Sequence, residues 1–88
     1  MTVELFGPAR ALAGRATIDL AVAEPADLPA LLRALAAAVP AFVGAILTPD
    51  GSAFIAPNLL LLDGVRTADG VTFTSADRPC VLFLPSGG

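Results

Sequence analysis

The chain has 88 residues, enough for one small domain and too few for two, and its net charge is −3. Its five cations are all arginine and are scattered, so no basic stripe is present to follow phosphates, and we expect no nucleic acid partner. Histidine is absent and Cys80 is the one cysteine, which excludes Ser-His-Asp and Cys-His catalysis and a thiolate metal site.

The first half of the sequence predicts a hairpin followed by one helix. Val3 to Phe6 is typical of a short strand, residues 10–14 of a loop or single helical turn, and the alternation over residues 16–22 of a second, antiparallel strand. Asp27 is suited to cap a helix that Pro40 ends. Helical spacing places five apolar residues on one stripe: Leu28, Leu31, Leu32, Leu35 and Val39.

The second half predicts short strands separated by turns. Asn58 to Leu62 is a continuous apolar run, typical of a strand that is buried on both faces. Val71 to Thr74 is a short alternating segment, and Cys80 to Leu84 is a final apolar strand in which Cys80 is predicted to be a small buried hydrophobe. Tight turns with positive φ are predicted at three Asp-Gly pairs, residues 50–51, 63–64 and 69–70.

This order of elements predicts an α+β fold of the β-grasp type, a mixed sheet with one main helix packed on one face. We expect a single domain over residues 1–84 and a flexible tail over residues 85–88. Because 56% of the residues are hydrophobic, we expect an exposed apolar patch that docks a partner. The N-terminus lacks a signal-peptide pattern, and the apolar stretch over residues 34–47 is shorter than the roughly 18 residues that span a bilayer, so we expect a cytoplasmic protein with no membrane partner.

The C-terminal residues are the candidate functional site. Pro85 cannot extend a strand ladder on its own N–H side, so the last strand is predicted to end there. Only the small residues Ser86, Gly87 and Gly88 follow. Glycine allows close approach of another backbone, and a terminal carboxylate is a group that proteins capture in backbone-lined pockets.

Three motifs resemble the MoaD/ThiS family of ubiquitin-like sulfur carriers, over nearly the whole chain. The segment VELFGPARALAG (Val3 to Gly14) is similar to the first strand and the Phe…Arg…Gly segment of molybdopterin synthase small subunits. NLLLLDG (Asn58 to Gly64) is similar to the family strand that ends in Asn-Gly, and LPSGG (Leu84 to Gly88) to the family ending P-P-x-[SA]-G-G. The thiamine-pathway carrier usually lacks the segment of residues 10–14, which favours the molybdopterin branch.

The resemblance implies a role for the tail. Gly88 would be adenylated by a ubiquitin-activating-type enzyme that uses ATP, and its carboxylate would become a thiocarboxylate. The sulfur would pass to an acceptor enzyme such as the large subunit of molybdopterin synthase, so the chain would act as a non-catalytic sulfur-donor subunit with no metal and no bound cofactor. The residues implied to contact these partners are Phe83, Leu84, Pro85, Ser86 and Gly87.

Other functions stay open from the sequence. The sulfur acceptor can belong to cysteine, thiamine, thiolated tRNA or secondary-metabolite synthesis. The same tail suits a ubiquitin-like modifier joined to lysines of other proteins, and since this chain has no lysine it would not form side-chain-linked polymers. A plain interaction module, in which the Gly-Gly ending is incidental, is the alternative of another class.

Overall fold

A computed structural model describes residues 1–66 and 70–83, with residues 65 and 66 described by their backbone alone. Its elements are β1 (Thr2–Leu5), α1 (Pro8–Ala13), β2 (Thr17–Asp19), β3 (Ala26–Asp27), α2 (Leu28–Ala38), β4 (Asn58–Leu62), β5 (Val65–Arg66), β6 (Thr72–Phe73) and β7 (Cys80–Phe83). Short 3₁₀ helices cover Pro40–Phe42 and Ser75–Asp77. Residues 10–14 therefore lie in α1 and at its C-terminal end. Of the two predicted forms, a loop or a single helical turn, the structure agrees with the helical one.

Five strands form the main sheet, in the order β2-β1-β7-β4-β5. β1 pairs antiparallel with β2 and parallel with β7, and β4 pairs antiparallel with both β7 and β5. The parallel pair needs a crossover, and α2 lies within it. The predicted β-grasp architecture, a mixed sheet with one main helix on one face, is confirmed. β6 lies within the predicted alternating segment Val71 to Thr74 and pairs with β3 in a separate two-stranded sheet. The sequence did not predict β3, since two residues are too few to show alternation.

The long helix begins and ends where the sequence predicts. The carboxylate of Asp27 accepts a hydrogen bond from the backbone N–H of Ala30 at 2.9 Å, which satisfies one of the free donors of the first turn. The helix ends at Ala38, because Pro40 has no N–H to continue it. Its buried residues join those of α1, the sheet and the loops in one core cluster: Val3, Leu5, Ala9, Ile18, Leu20, Leu31, Leu32, Leu35, Phe42, Ile46, Leu47, Leu60, Phe73 and Val81.

The second strand is shorter than predicted. β2 ends at Asp19, opposite Thr2, the first residue of β1. Leu20 N still donates to Met1 O at 2.7 Å, but Val22 N donates back to Leu20 O at 3.0 Å, so the chain turns there and leaves its partner strand. The prediction of a strand reaching residue 22 is therefore wrong, because a strand extends only as far as its partner.

Two of the predicted Asp-Gly turns can be compared with the structure. Asp63 and Gly64 both have positive φ, 53° and 81°, and they join Leu62 to its partner Val65 in a two-residue hairpin. At the first pair, Gly51 N donates to Thr48 O at 2.8 Å, which closes the turn. The third pair lies partly outside the described residues, since Asp69 is not among them.

Within the described part of the chain, we find no helix with the length and apolar character needed to cross a membrane.

Candidate functional site

The strand that leads to the predicted tail lies in the middle of the sheet. β7 runs between β1 and β4, and its last residue, Phe83, is opposite Asn58 of β4. Because β1 and β7 are parallel, their carboxyl ends meet at one edge of the sheet. The structure thus places Phe83 at that edge. The other candidate residues, Leu84, Pro85, Ser86, Gly87 and Gly88, lie outside the described residues, as does the predicted boundary between domain and tail.

Gly7 fixes how closely the chain after β1 passes the end of β7. Its φ of 63° and ψ of −137° lie in a region that is open almost only to glycine. A Cβ added there would lie 3.1 Å from the Cβ of Phe83, closer than such atoms normally pack. Phe83 is itself 37% exposed. The glycine of the VELFGP motif therefore allows β7 to end against the start of α1.

The sheet has one face packed against α2, and no helix among residues 1–66 and 70–83 packs on the other face. Side chains alternate along each strand, so Val81 of β7 enters the core while its neighbours Cys80 and Leu82 lie on the other side, half-buried. The register of the pairs extends this second side across four strands. We call it the open face: Thr2, Glu4, Thr17, Asp19, Leu59, Leu61, Cys80 and Leu82.

The open face is apolar at its centre. Leu59 of β4 pairs with Leu82 of β7, and Leu61 pairs with Cys80. Phe6 N donates to Val81 O at 3.0 Å, which brings Phe6 alongside this group with its side chain 41% exposed. The prediction that β4 is buried on both faces is therefore wrong. The open side of the strand is only half-covered, because no helix among the described residues packs there. An apolar sheet face of this kind is suited to docking another protein.

A charged border lies at one end of the open face. Arg78, in the left-handed conformation with φ 50°, forms an ion pair with Asp63 of the β4–β5 turn. That pairing raises the pKa of Arg78, so its charge is fixed at any physiological pH. A shallow depression of about 310 Å³ lies here, lined by Glu4, Phe6, Asp63, Gly64, Arg78 and Cys80. The sequence did not predict this ion pair, because the two residues are 15 positions apart.

Cys80 is not the buried hydrophobe that the sequence predicts. It is half-buried on the open face, because strand alternation turns it away from the core side that Val81 occupies. Partial burial, and to a lesser degree the nearby Glu4 carboxylate, raise the pKa of its thiol. The thiol is therefore protonated at neutral pH, and since the thiolate is the reactive form, Cys80 is poorly suited to be a sulfur-transfer nucleophile.

The described residues hold no group of His, Cys, Asp and Glu side chains that could bind a metal ion. What the geometry offers is an apolar sheet face, and next to its edge the end of the strand that precedes the Gly-Gly sequence. Such an arrangement can present a chain end to another protein.

Two crystal structures from Haloferax volcanii are similar to this chain. SAMP1 is 26% identical, with a TM-score of 0.80, over 100% of this chain and 98% of that one. A structure of small archaeal modifier protein 1 is 25% identical, with a TM-score of 0.76, over 92% of each chain. No protein-family model matches the sequence, and no curated protein does. The fold is thus that of the ubiquitin-like small archaeal modifier proteins.

Proposed function

We propose that this chain is a ubiquitin-like sulfur carrier, in which the Gly88 carboxylate is adenylated and converted to a thiocarboxylate by partner enzymes. The observation that carries the proposal is the full-length similarity to the modifier fold, joined to a last described strand that precedes Leu84-Pro85-Ser86-Gly87-Gly88 in the sequence. The activating enzyme and the sulfur acceptor would each need Phe83 and the residues after it to reach their active site.

The length of the tail limits where a partner can bind. Five residues follow Phe83, and five fully extended residues span at most about 17 Å. An enzyme that acts on Gly88 must therefore place its active site within that distance of the edge formed by Phe83 and Gly7. A partner of ordinary size would then also cover neighbouring surface, and the apolar centre of the open face is the surface best suited to it.

The chemistry requires a partner, because an ionised carboxylate is a poor electrophile. ATP transfers AMP to a Gly88 carboxylate oxygen and releases pyrophosphate. Hydrosulfide then attacks the acyl carbon, the bond to the AMP oxygen breaks, AMP leaves with the electron pair and the sulfur loses its proton to solvent. If an enzyme persulfide is the donor, its terminal sulfur attacks instead, and a second enzyme thiol releases the thiocarboxylate and becomes part of a disulfide. ATP is therefore used by the activating enzyme and is not a cofactor of this chain.

Within this function, we favour the role of small subunit of molybdopterin synthase, in which the large subunit accepts the sulfur. The support is the resemblance of residues 3–14 and 58–64 to that branch. Mixing thiocarboxylated protein with the large subunit and its substrate is expected to return the chain to the mass of the free carboxylate. Retention of the sulfur by the chain would leave the general proposal intact and exclude this acceptor.

The experiment that tests the general proposal is a mass measurement. The chain is incubated with its cognate activating enzyme, ATP and a sulfide donor. The intact mass is expected to rise by one exchange of oxygen for sulfur, and a variant that lacks Gly88 is expected to keep its mass. A mixture without ATP is the second control. No change with an enzyme that forms adenylate on a known substrate would contradict the proposal.

A second candidate function is protein modification, favoured by the name of both similar structures, small archaeal modifier protein. In that case the activated Gly88 acyl group forms an isopeptide bond with a lysine of a target. Cell extracts would then contain peptides that carry a Gly-Gly remnant, derived from this tail, on lysine. Their absence from extracts in which the thiocarboxylate is abundant would favour the carrier function alone.

A further inference from the structure

Beside the end of β7, two arginines share one open groove. The groove has a volume of about 530 Å³ and is lined by Gly7, Arg10, Ala11, Gly14, Arg15 and Ala16. Both arginine side chains are exposed, and among the described residues neither forms an ion pair. Gly7 belongs both to this groove and to the contact with Phe83, so the groove adjoins the point from which the tail departs.

The charge here is opposite to that of the protein as a whole. The net charge is −3, yet residues 5–18 contain two arginines and no Asp or Glu. The arginines are scattered in the sequence, but the fold brings Arg10 and Arg15 to one groove, because the α1 segment turns back at Gly14, whose φ is 73°. The edge next to the tail is therefore a basic site on an acidic protein.

The groove fits carboxylates of a protein better than phosphates of a nucleotide. Phosphate sites use free backbone N–H groups that converge on the ligand. Here Ala11 N donates to Gly7 O at 3.1 Å, and Gly14 N donates to Arg10 O at 2.9 Å, so these donors are already engaged. The side chains of the groove are two guanidinium groups in a wide lining that is otherwise glycine and alanine, which gives room for an acidic segment of a partner.

We propose that Arg10 and Arg15 form a docking site for an acidic segment of the enzyme that activates the tail, and that they orient the carrier with Gly88 towards the active site. This inference rests on the proposed function, since it assigns part of the surface that the activating enzyme covers. Charges at the rim of an interface act chiefly on the rate of association and on its dependence on salt. Arg10 and Arg15 are thus expected to speed capture of the chain while the open face holds it.

The test measures association of the chain with its cognate activating enzyme in the absence of ATP, by stopped-flow fluorescence of a labelled chain. The variants are Arg10→Ala, Arg15→Ala and the double variant. Arg33→Ala is the matched control, because Arg33 is also exposed and its substitution removes one positive charge from α2. At low salt the double variant is expected to associate about tenfold more slowly, each single variant about threefold, and Arg33→Ala less than about 1.5-fold, with dissociation rates within about twofold. Near 0.5 M salt, where the Debye length is only about 4 Å, the differences are expected to disappear.

Equal association rates for the double variant and Arg33→Ala at low salt would overturn the inference. So would a loss that persists at high salt, because it would not be electrostatic. A titration of the chain alone with inorganic triphosphate is the third measurement. Saturable binding that the double variant loses would assign the groove to phosphate and overturn the inference, and no binding would support it. A wild-type chain that binds the enzyme but gains no sulfur with ATP and sulfide would contradict the proposed function and still leave the association rates comparable.

Discussion

The two faces of the sheet differ in burial, although the same strands form both. On the α2 side, Val81 and Leu60 are almost fully buried and join the core. On the open face, their neighbours Leu82 and Leu61 are equally apolar but only half-buried. Covering that face would add buried apolar area to a small domain, whose core is thin. Among the described residues, however, no segment covers it. We infer that the first face stabilises the fold and that the second binds partners.

The largest expected effect separates these two roles within β4. Leu60→Ala is expected to lower the free energy of unfolding by about 2–5 kcal/mol, because it removes a buried side chain and leaves a cavity. Leu61→Ala, the same change one residue further, is expected to cost less than about 1.5 kcal/mol, since its side chain is half-exposed. Urea unfolding of both variants measures the difference. Similar losses for the two leucines would contradict the division between the faces.

A smaller loss of folding free energy is expected at Gly7, which lies against the end of β7. Gly7→Ala is expected to cost about 2–3 kcal/mol, since its backbone conformation suits only glycine and the new Cβ would press on Phe83. Gly14→Ala is the control: Gly14 has φ 73° in the ordinary left-handed region, and a Cβ there would meet nothing within 4 Å, so about 1 kcal/mol is expected. Thermal unfolding compares them, and equal losses would mean that the contact with Phe83 is unimportant.

Partner binding should show the reverse ranking. Leu82→Ala and Leu61→Ala are each expected to raise the KM of the activating enzyme for the carrier about tenfold, which corresponds to about 1.4 kcal/mol, because the side chains that carry most of the binding energy cluster at the centre of an interface. Thr17→Ala, an exposed polar position at the margin of the same face, is expected to change KM less than about twofold. Unchanged KM for both leucine variants would mean that the partner binds elsewhere.

The smallest effect concerns Cys80, whose position distinguishes the faces chemically. On the open face, the thiol is expected to react with iodoacetamide in the folded protein, slowly at pH 8 because its pKa is raised, and faster as the pH increases. Glu4→Gln removes a negative charge next to the thiol, so the pKa should fall and the rate at pH 8 should rise. Mass spectrometry follows the alkylation. Reaction only under unfolding conditions would place Cys80 in the core instead.

Local patterns predicted much of this fold because the physics behind them is local. The helical spacing of the α2 leucines, the Asp27 cap and the Asp63-Gly64 turn each depend on neighbouring residues, and each is confirmed. The errors arise where the answer depends on residues far away in the chain. The end of β2 depends on where its pairing with β1 stops, and the burial of Cys80 depends on which face of the sheet α2 covers.

The candidate site shows the same limit. The motif containing Gly7 marked the right segment, but its contact with Phe83 follows from the parallel pairing of β1 with β7, which no pattern of spacing reveals. Arg10 and Arg15 look unremarkable in sequence until the turn at Gly14 places them in one groove. The available signal was the absence of acidic residues from positions 5–18.

The proposed carrier function requires sulfur at Gly88, and mass spectrometry can locate it there. After incubation with the activating enzyme, ATP and sulfide, the chain is cleaved and its C-terminal peptide is sequenced by tandem mass spectrometry. One oxygen is expected to be replaced by sulfur in the fragment that contains Gly88, with Cys80 unchanged. A Gly88 fragment that keeps both carboxylate oxygens, after incubation with an enzyme that forms the adenylate, would contradict the carrier function.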